Sequence, residues 1–314
     1  MKEVVASGNK GRFLGLFSTL IYAAFSYGGV EMVAVAAGET VDPRRNVPKA
    51  IKRIIWRILI FYVLGSLAIS VLVPSNNKEL GSVSPWVIAV QNANIHVLPS
   101  IINAVILASA SSSANAFLFV GSRYLFGLAQ NKQAPRIFLK CTKRGIPIYS
   151  VGFTALWSGL AYMSASAGAT TVFNWFINLG TISTLFNWCS ISIAYLRFRQ
   201  ALAAQGVDRN SIHFKAPFQP YTAWFALCYF AMIIIFNGWE LFTKGNWSVQ
   251  EFITAYIGIP IYFGLYLLWK IWKRTSLVDP AEADIWSGKT ALDAEIWLEK
   301  KPRNFLEKVW QWIV

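Results

Sequence analysis

Charge is what this chain has least of. Lys, Arg, Asp and Glu make up 14% of its 314 residues, where a soluble domain carries about a quarter, too little to cover a water-facing surface. Acids are scarcer than bases, 15 against 29, which leaves a net charge of +14. The bases lie between apolar runs and form no single stripe, so they point to loops at a membrane face and away from nucleic acid. The three cysteines, Cys141, Cys189 and Cys228, show no metal spacing, and the last two fall inside apolar runs, which speaks against a disulfide framework. His96 and His213 lie far apart and give no ligand pair. No phosphate-binding glycine loop, zinc spacing or nucleophile elbow occurs, so neither an enzyme nor a cofactor or metal is expected.

Apolar runs fill the space that charge leaves. Hydrophobic residues reach 55%, with 14 Trp and a mean hydropathy of +0.44. Seven runs, about 13–37, 54–73, 97–118, 146–167, 172–196, 221–243 and 252–269, are each long enough or nearly so to cross a bilayer as a helix. The fold class expected is therefore an all-α, polytopic membrane protein. Lys and Arg set the orientation. All but Lys2, Lys10, Arg12, Lys78 and Lys244 fall on one side of the alternating connections, which predicts an outside N-terminus and a cytoplasmic C-terminus. The basic loop with Arg44, Arg45, Lys49, Lys52 and Arg53 would face anionic inner-leaflet lipids, and Pro43 and Pro48 disfavour a continuous helix there. Residues 1–12 read as a short outside segment without signal-peptide character, 13–272 as the transmembrane domain, and 273–314 as a cytoplasmic tail. In that tail Phe305, Leu306, Val309, Trp310 and Ile313 recur at helical spacing, the pattern of an amphipathic helix on the inner leaflet. An outside start without a signal peptide predicts that an odd number of helices precedes Met1.

The most informative stretch lies inside the first run: Phe25-Ser26-Tyr27-Gly28-Gly29-Val30-Glu31. Adjacent glycines are a weak point in a helix, and an acid at that depth costs roughly 2.5–3.5 kcal/mol on insertion scales. Together they predict a discontinuous helix lining a polar site. The carbonyls freed upstream suit an ammonium group, and the N–H groups freed downstream suit a carboxylate. Close helix packing at Gly28 and Gly29 is the plainer alternative; for Glu31 it is a protonated carboxyl bonded to a neighbouring helix.

These residues, followed by Ala36-Ala37-Gly38-Glu39 and Asp42-Pro43-Arg44-Arg45-Asn46-Val47-Pro48-Lys49, resemble the amino-acid permeases of the amino acid–polyamine–organocation superfamily. The likeness continues through Ser122-Arg123-Tyr124-Leu125-Phe126-Gly127, Phe173-Asn174-Trp175-Phe176, Asn187-Trp188 and Ala216-Pro217-Phe218-Gln219-Pro220-Tyr221, the last particularly like the fungal branch. The resemblance implies a proton-coupled amino-acid carrier with part of a leucine-transporter-like inverted-repeat fold, lacking the first five helices. By the same resemblance, Phe25 is a gating aromatic, and Ser26 with the backbone of Tyr27, Gly28 and Gly29 meets the substrate amine. Glu31 is the candidate for proton coupling. Asn115 belongs to a helix that faces substrate in the family, or else clamps a neighbouring helix. Thr181 and Thr184 share one helix face and read as substrate contacts or as packing. The expected partners are an amino acid, a proton and the lipid bilayer. The expected location is the plasma membrane, with a vacuolar membrane as the alternative. A non-transporting fragment and a seven-helix receptor are the rival readings.

Overall fold

The computed structural model describes residues 8–287, apart from positions 41, 82, 96, 164, 166, 167, 213, 214 and 244, together with 304 and 305. The amphipathic helix expected at the end of the tail and most of the segment 1–12 lie outside the described residues. Among the described residues every regular element is helical. In chain order the α-helices are α1 (Gly8–Ser26), α2 (Met32–Val35), α3 (Pro43–Ile58), α4 (Gly65–Leu72), α5 (Pro85–Asn92), α6 (Leu98–Gln130), α7 (Ile148–Leu156), α8 (Ala169–Ala204), α9 (Tyr221–Phe236), α10 (Val249–Tyr256) and α11 (Gly258–Lys273).

The described residues of the seven expected spans are mostly helical, but their continuity differs. Among the described residues three segments are long and apolar enough to cross a membrane unbroken: Pro43–Leu72, Leu98–Gln130 and Thr171–Ala204. Helices α10 and α11 form a fourth when taken as one span bent by 45°. The remaining runs are interrupted. The first is broken after Ser26, α7 tightens into a 3-10 stretch at Trp157–Met163, and α9 ends at Phe236 before a separate turn at Trp239–Phe242. With this composition and these helices, the chain is an integral membrane protein.

The expectation that Pro43 and Pro48 prevent a continuous helix is corrected. Helix α3 starts on Pro43 and runs through Pro48, then through a π-helical stretch, Leu59–Leu64, into α4. Pro43 sits at the first helical position, where its missing N–H is not needed. Pro48 lies only one turn further on, so it forfeits a single bond near an end where water can solvate the freed carbonyl.

The packing centre is α8. Its Ile182, Leu185, Phe186 and Cys189 recur at i, i+3, i+4 and i+7, the stripe that one helix face buries. They pack with Ile233 and Ile234 of α9, while Leu20 and Ala24 of α1 and Ile259 of α11 close over them. Helices α5 and α7 pack on α6, and α2 lies between α3 and α6. Beyond the membrane face, Arg197 donates to the Val278 carbonyl at 2.6 Å, and Gln205 to the carbonyls of Pro280 and Ala283, so the chain after α11 is tied back to the end of α8. In that segment the Ser287 hydroxyl, with the Ser287 and Trp286 N–H groups, holds the Asp284 carboxyl below its ordinary range.

Close approach of α11 to α8 depends on Gly258. A Cβ there would stand 2.5 Å from Cγ2 of Ile182, a residue only 1% exposed. Gly258→Ala should therefore destabilise the helical core by about 1–3 kcal/mol. Thermal unfolding of the purified chain checks this: the midpoint should fall, and an unchanged midpoint would show that α11 can shift freely.

Candidate functional site

The break in the first span is a turn built on backbone bonds. Helix α1 ends at Ser26, residues 27–31 form a turn, and α2 resumes at Met32. Gly29 has φ +97°, a conformation that residues with a Cβ rarely adopt. The Tyr27 N–H reaches back to the Ala23 and Ala24 carbonyls, the Gly28 N–H to Phe25, and the Met32 N–H to Gly29. Among the described residues no protein acceptor pairs with the N–H groups of Gly29, Val30 and Glu31. That leaves three consecutive donors at the start of the downstream piece, where a helix end favours negative or polar groups.

The upstream side is covered by a residue from elsewhere in the chain. Tyr62, on the π-helical stretch Leu59–Leu64, donates its hydroxyl to the Ser26 carbonyl at 3.0 Å. Its ring stacks on Tyr27, with centroids 5.5 Å apart and planes 26° from parallel. A π-turn moves side chains around the helix axis and is frequent at functional positions; here it accompanies the delivery of Tyr62 to the break. The Ser26 hydroxyl is itself engaged, donating to the Tyr22 carbonyl at 2.9 Å.

Glu31 lines a cavity of about 580 Å³ bounded by α1, α2, α3, α8 and α9. The Trp188 Nε1–H donates to its Oε2 at 3.0 Å. Phe230 lies against Trp188 at 5.0 Å between centroids, and Tyr27 and Tyr229 complete the aromatic part of the wall. Otherwise the cavity is apolar, so Glu31 is its single acid and has one neutral donor.

A second cavity of about 760 Å³ adjoins it on the N-terminal side of the break. Asn174, Asn178, Asn237, Glu240 and Glu251 make this one polar. Leu20 and Ile233 line both cavities. At the other end of the broken segment, Arg123 of α6 donates to Glu39, which follows α2 in the 3-10 stretch Ala36–Glu39, and its guanidinium covers the Phe119 ring at 4.9 Å.

The predicted site residues divide into three groups. Tyr27, Gly28, Gly29 and Glu31 form the break, and Thr184 joins them: a Cβ on Gly28 would meet its methyl at 3.8 Å. Thr181 is buried one turn away, and both threonine hydroxyls bond back to their own helix, at the Ile177 and Gly180 carbonyls. Phe25 is 45% exposed and lines neither of these two cavities. Asn115 is exposed on α6. Tyr62, Trp188, Tyr229 and Phe230 were missed as site residues. The signal for Tyr62 and Trp188 was there: a phenol or indole donor inside a membrane span needs a partner.

The "Amino acid permease" family profile matches residues 1–280. A probable proline-specific permease of Schizosaccharomyces pombe is 41% identical over 99% of this chain and 59% of its own length. A proline-specific permease of Emericella nidulans is 41% identical over 98% of this chain and 58% of its own. A lysine-specific permease of Saccharomyces cerevisiae is 39% identical over 96% and 50%. The chain thus spans between half and three-fifths of the length of these relatives.

Proposed function

The chain belongs to the amino acid permease family, and on that premise we propose that it forms the larger part of a carrier that moves an amino acid across the plasma membrane together with a proton, its C-terminus in the cytoplasm. The observation that carries the reading is the break itself. Backbone donors are opened at Gly29, Val30 and Glu31, the Ser26 carbonyl is held by an exchangeable tyrosine, and one acid is bound to Trp188.

The two sides have different tasks in this proposal. The Ser26 carbonyl and its neighbours receive the substrate ammonium when Tyr62 lets go, since a charged donor makes the stronger bond to the same oxygen. Glu31, in a separate apolar chamber, takes up and releases the proton. A proton entering from the polar cavity would pass the Leu20 and Ile233 side chains, which line both cavities. Loosening the Arg123–Glu39 pair would free the inner end of the segment, so the clasp serves as a gate that alternates with the outer mouth.

Proline is the first substrate to try, because two relatives at 41% identity are named proline-specific; lysine is the second. The test is uptake of labelled proline and lysine in permease-deficient cells. The chain alone is compared with the chain joined to the portion of the Emericella nidulans permease that it does not cover. Uptake is expected from the joined protein, with little from the chain alone. A joined protein that reaches the membrane yet neither binds nor takes up any amino acid would sink the substrate class.

A further inference from the structure

Near the basic end of α8 lies a third cavity, of about 380 Å³, which shares Ile191 with the Glu31 chamber. Its charged lining is entirely cationic: Arg199 of α8, with Arg209 and Lys215 of the loop that follows. Arg209 donates to the Ala216 carbonyl at 2.9 Å and Lys215 to the Asn210 side chain at 2.8 Å, which fixes the loop around the opening. Asp208, the nearest acid along the chain, is turned to the Asn210 N–H and does not line the cavity. Two polar atoms here are buried without a partner among the described residues, Nη1 of Arg199 and Oε1 of Gln219. Buried polar atoms are nearly always paired, and an unpaired guanidinium nitrogen is costly. The Gln219 amide can equally present its NH2 group, because its two ends exchange by a half-turn. Arg199, Arg209, Lys215 and Gln219 thus line one space whose charge calls for an anion.

Depth decides which anion. Helix α8 has 36 residues and is about 54 Å long, against a hydrocarbon core of about 30 Å. Its last turns, with Arg199, therefore reach the headgroup layer. On both helices the lining becomes apolar in the direction of the membrane: Ile191 lies two turns before Arg199 on α8, and Ala226 two turns after Gln219 on α9. A cavity that is basic at its mouth and apolar toward the bilayer matches an amphiphile with a phosphate head.

We propose that this cavity binds a phosphate-bearing anion, with the headgroup of an anionic inner-leaflet phospholipid as its occupant. The phosphate sits among Arg199, Arg209 and Lys215, the Gln219 amide donates to it, and the first part of an acyl chain lies along Ile191 and Ala226.

Titration of the detergent-solubilised full chain with fluorescent phosphatidylinositol 4-phosphate tests this, with phosphatidylcholine as the neutral control. Arg199→Gln and Arg209→Gln should each weaken binding by at least about tenfold, the size of one lost charge-assisted contact. Lys132→Gln and Lys143→Gln remove the same charge from the loop after α6 and should leave binding unchanged. Arg199→Lys keeps the charge and should retain most of the affinity, which separates loss of the site from loss of the fold. Inorganic phosphate and soluble inositol 1,4-bisphosphate should compete only weakly. If either competes as tightly as the lipid, a free phosphate replaces the lipid as occupant. Equal binding of phosphatidylcholine, parental affinity in Arg199→Gln, or an equal loss in Lys132→Gln overturns the site.

Discussion

Glu31→Gln, made in a transport-competent joined protein, should abolish concentrative uptake while leaving substrate exchange intact. The substitution is selective because the Trp188 Nε1–H can bond a Gln side-chain oxygen as it bonds Glu31 Oε2. The cavity keeps its shape and its donor pair, and only the exchangeable proton is lost. The size of the effect follows from the driving force. A co-transported proton supplies about 1.4 kcal/mol per pH unit across the membrane and about 2.3 kcal/mol per 100 mV. For a neutral substrate under both, the limiting gradient is on the order of several hundredfold. Without coupling it falls to about onefold. Uptake should also lose its dependence on external pH, and substrate-induced alkalinisation of the medium should vanish. Unchanged pH dependence with unchanged proton flux would remove Glu31 from the coupling role. Loss of exchange as well would assign it to substrate binding or structure instead.

How much of this was legible in the sequence depends on the distance over which the signal acts. The break could be read because its causes are local: two adjacent glycines, one with a left-handed φ, and an acid within three residues. The burial stripe of α8 was equally local, since helical spacing places Ile182, Leu185, Phe186 and Cys189 on one face. Tyr62 and Trp188 stand 36 and 157 residues from the atoms they bond, so their partners emerge only when separate helices pack. Asn115 shows the same limit from the other side: an amide in an apolar run signals a need for a partner but not which helix supplies it. Thr181 and Thr184 show another limit: the sequence left open substrate contact or packing, and their hydroxyls donate to carbonyls of their own helix. Pro48 misled because its cost depends on position in the helix, and a proline near the start loses only one bond.

Gly29→Val should be the most damaging single change at the break. A β-branched residue at φ +97° is a steric outlier, so strain of about 1–3 kcal/mol or more is expected at that residue alone. The chain can relieve it only by moving residue 29 out of the left-handed region, which dismantles the turn that opens the Gly29, Val30 and Glu31 donors. Space is not the obstacle: a Cβ there would first meet the flexible Met32 side chain, at an ordinary 3.5 Å. The defect should therefore follow backbone conformation rather than bulk, with Gly29→Ala impaired in the same direction and Gly29→Val more so. Gly127→Ala provides the contrast. That glycine lies inside α6 with nothing within 4 Å of its added Cβ and no left-handed φ, so the change should stabilise the helix by about 0.5–1 kcal/mol. In the joined protein, Gly29→Val should reduce uptake at least about hundredfold at normal membrane abundance, equivalent to some 2.7 kcal/mol. Gly127→Ala should transport normally and melt at a slightly higher temperature. If Gly29→Val transported like the parent, the positive-φ turn would be dispensable and the amine site would have to lie elsewhere. If it failed only by never reaching the membrane, while Gly29→Ala transported at the parental rate, the glycine would matter for assembly and not for the carrier cycle.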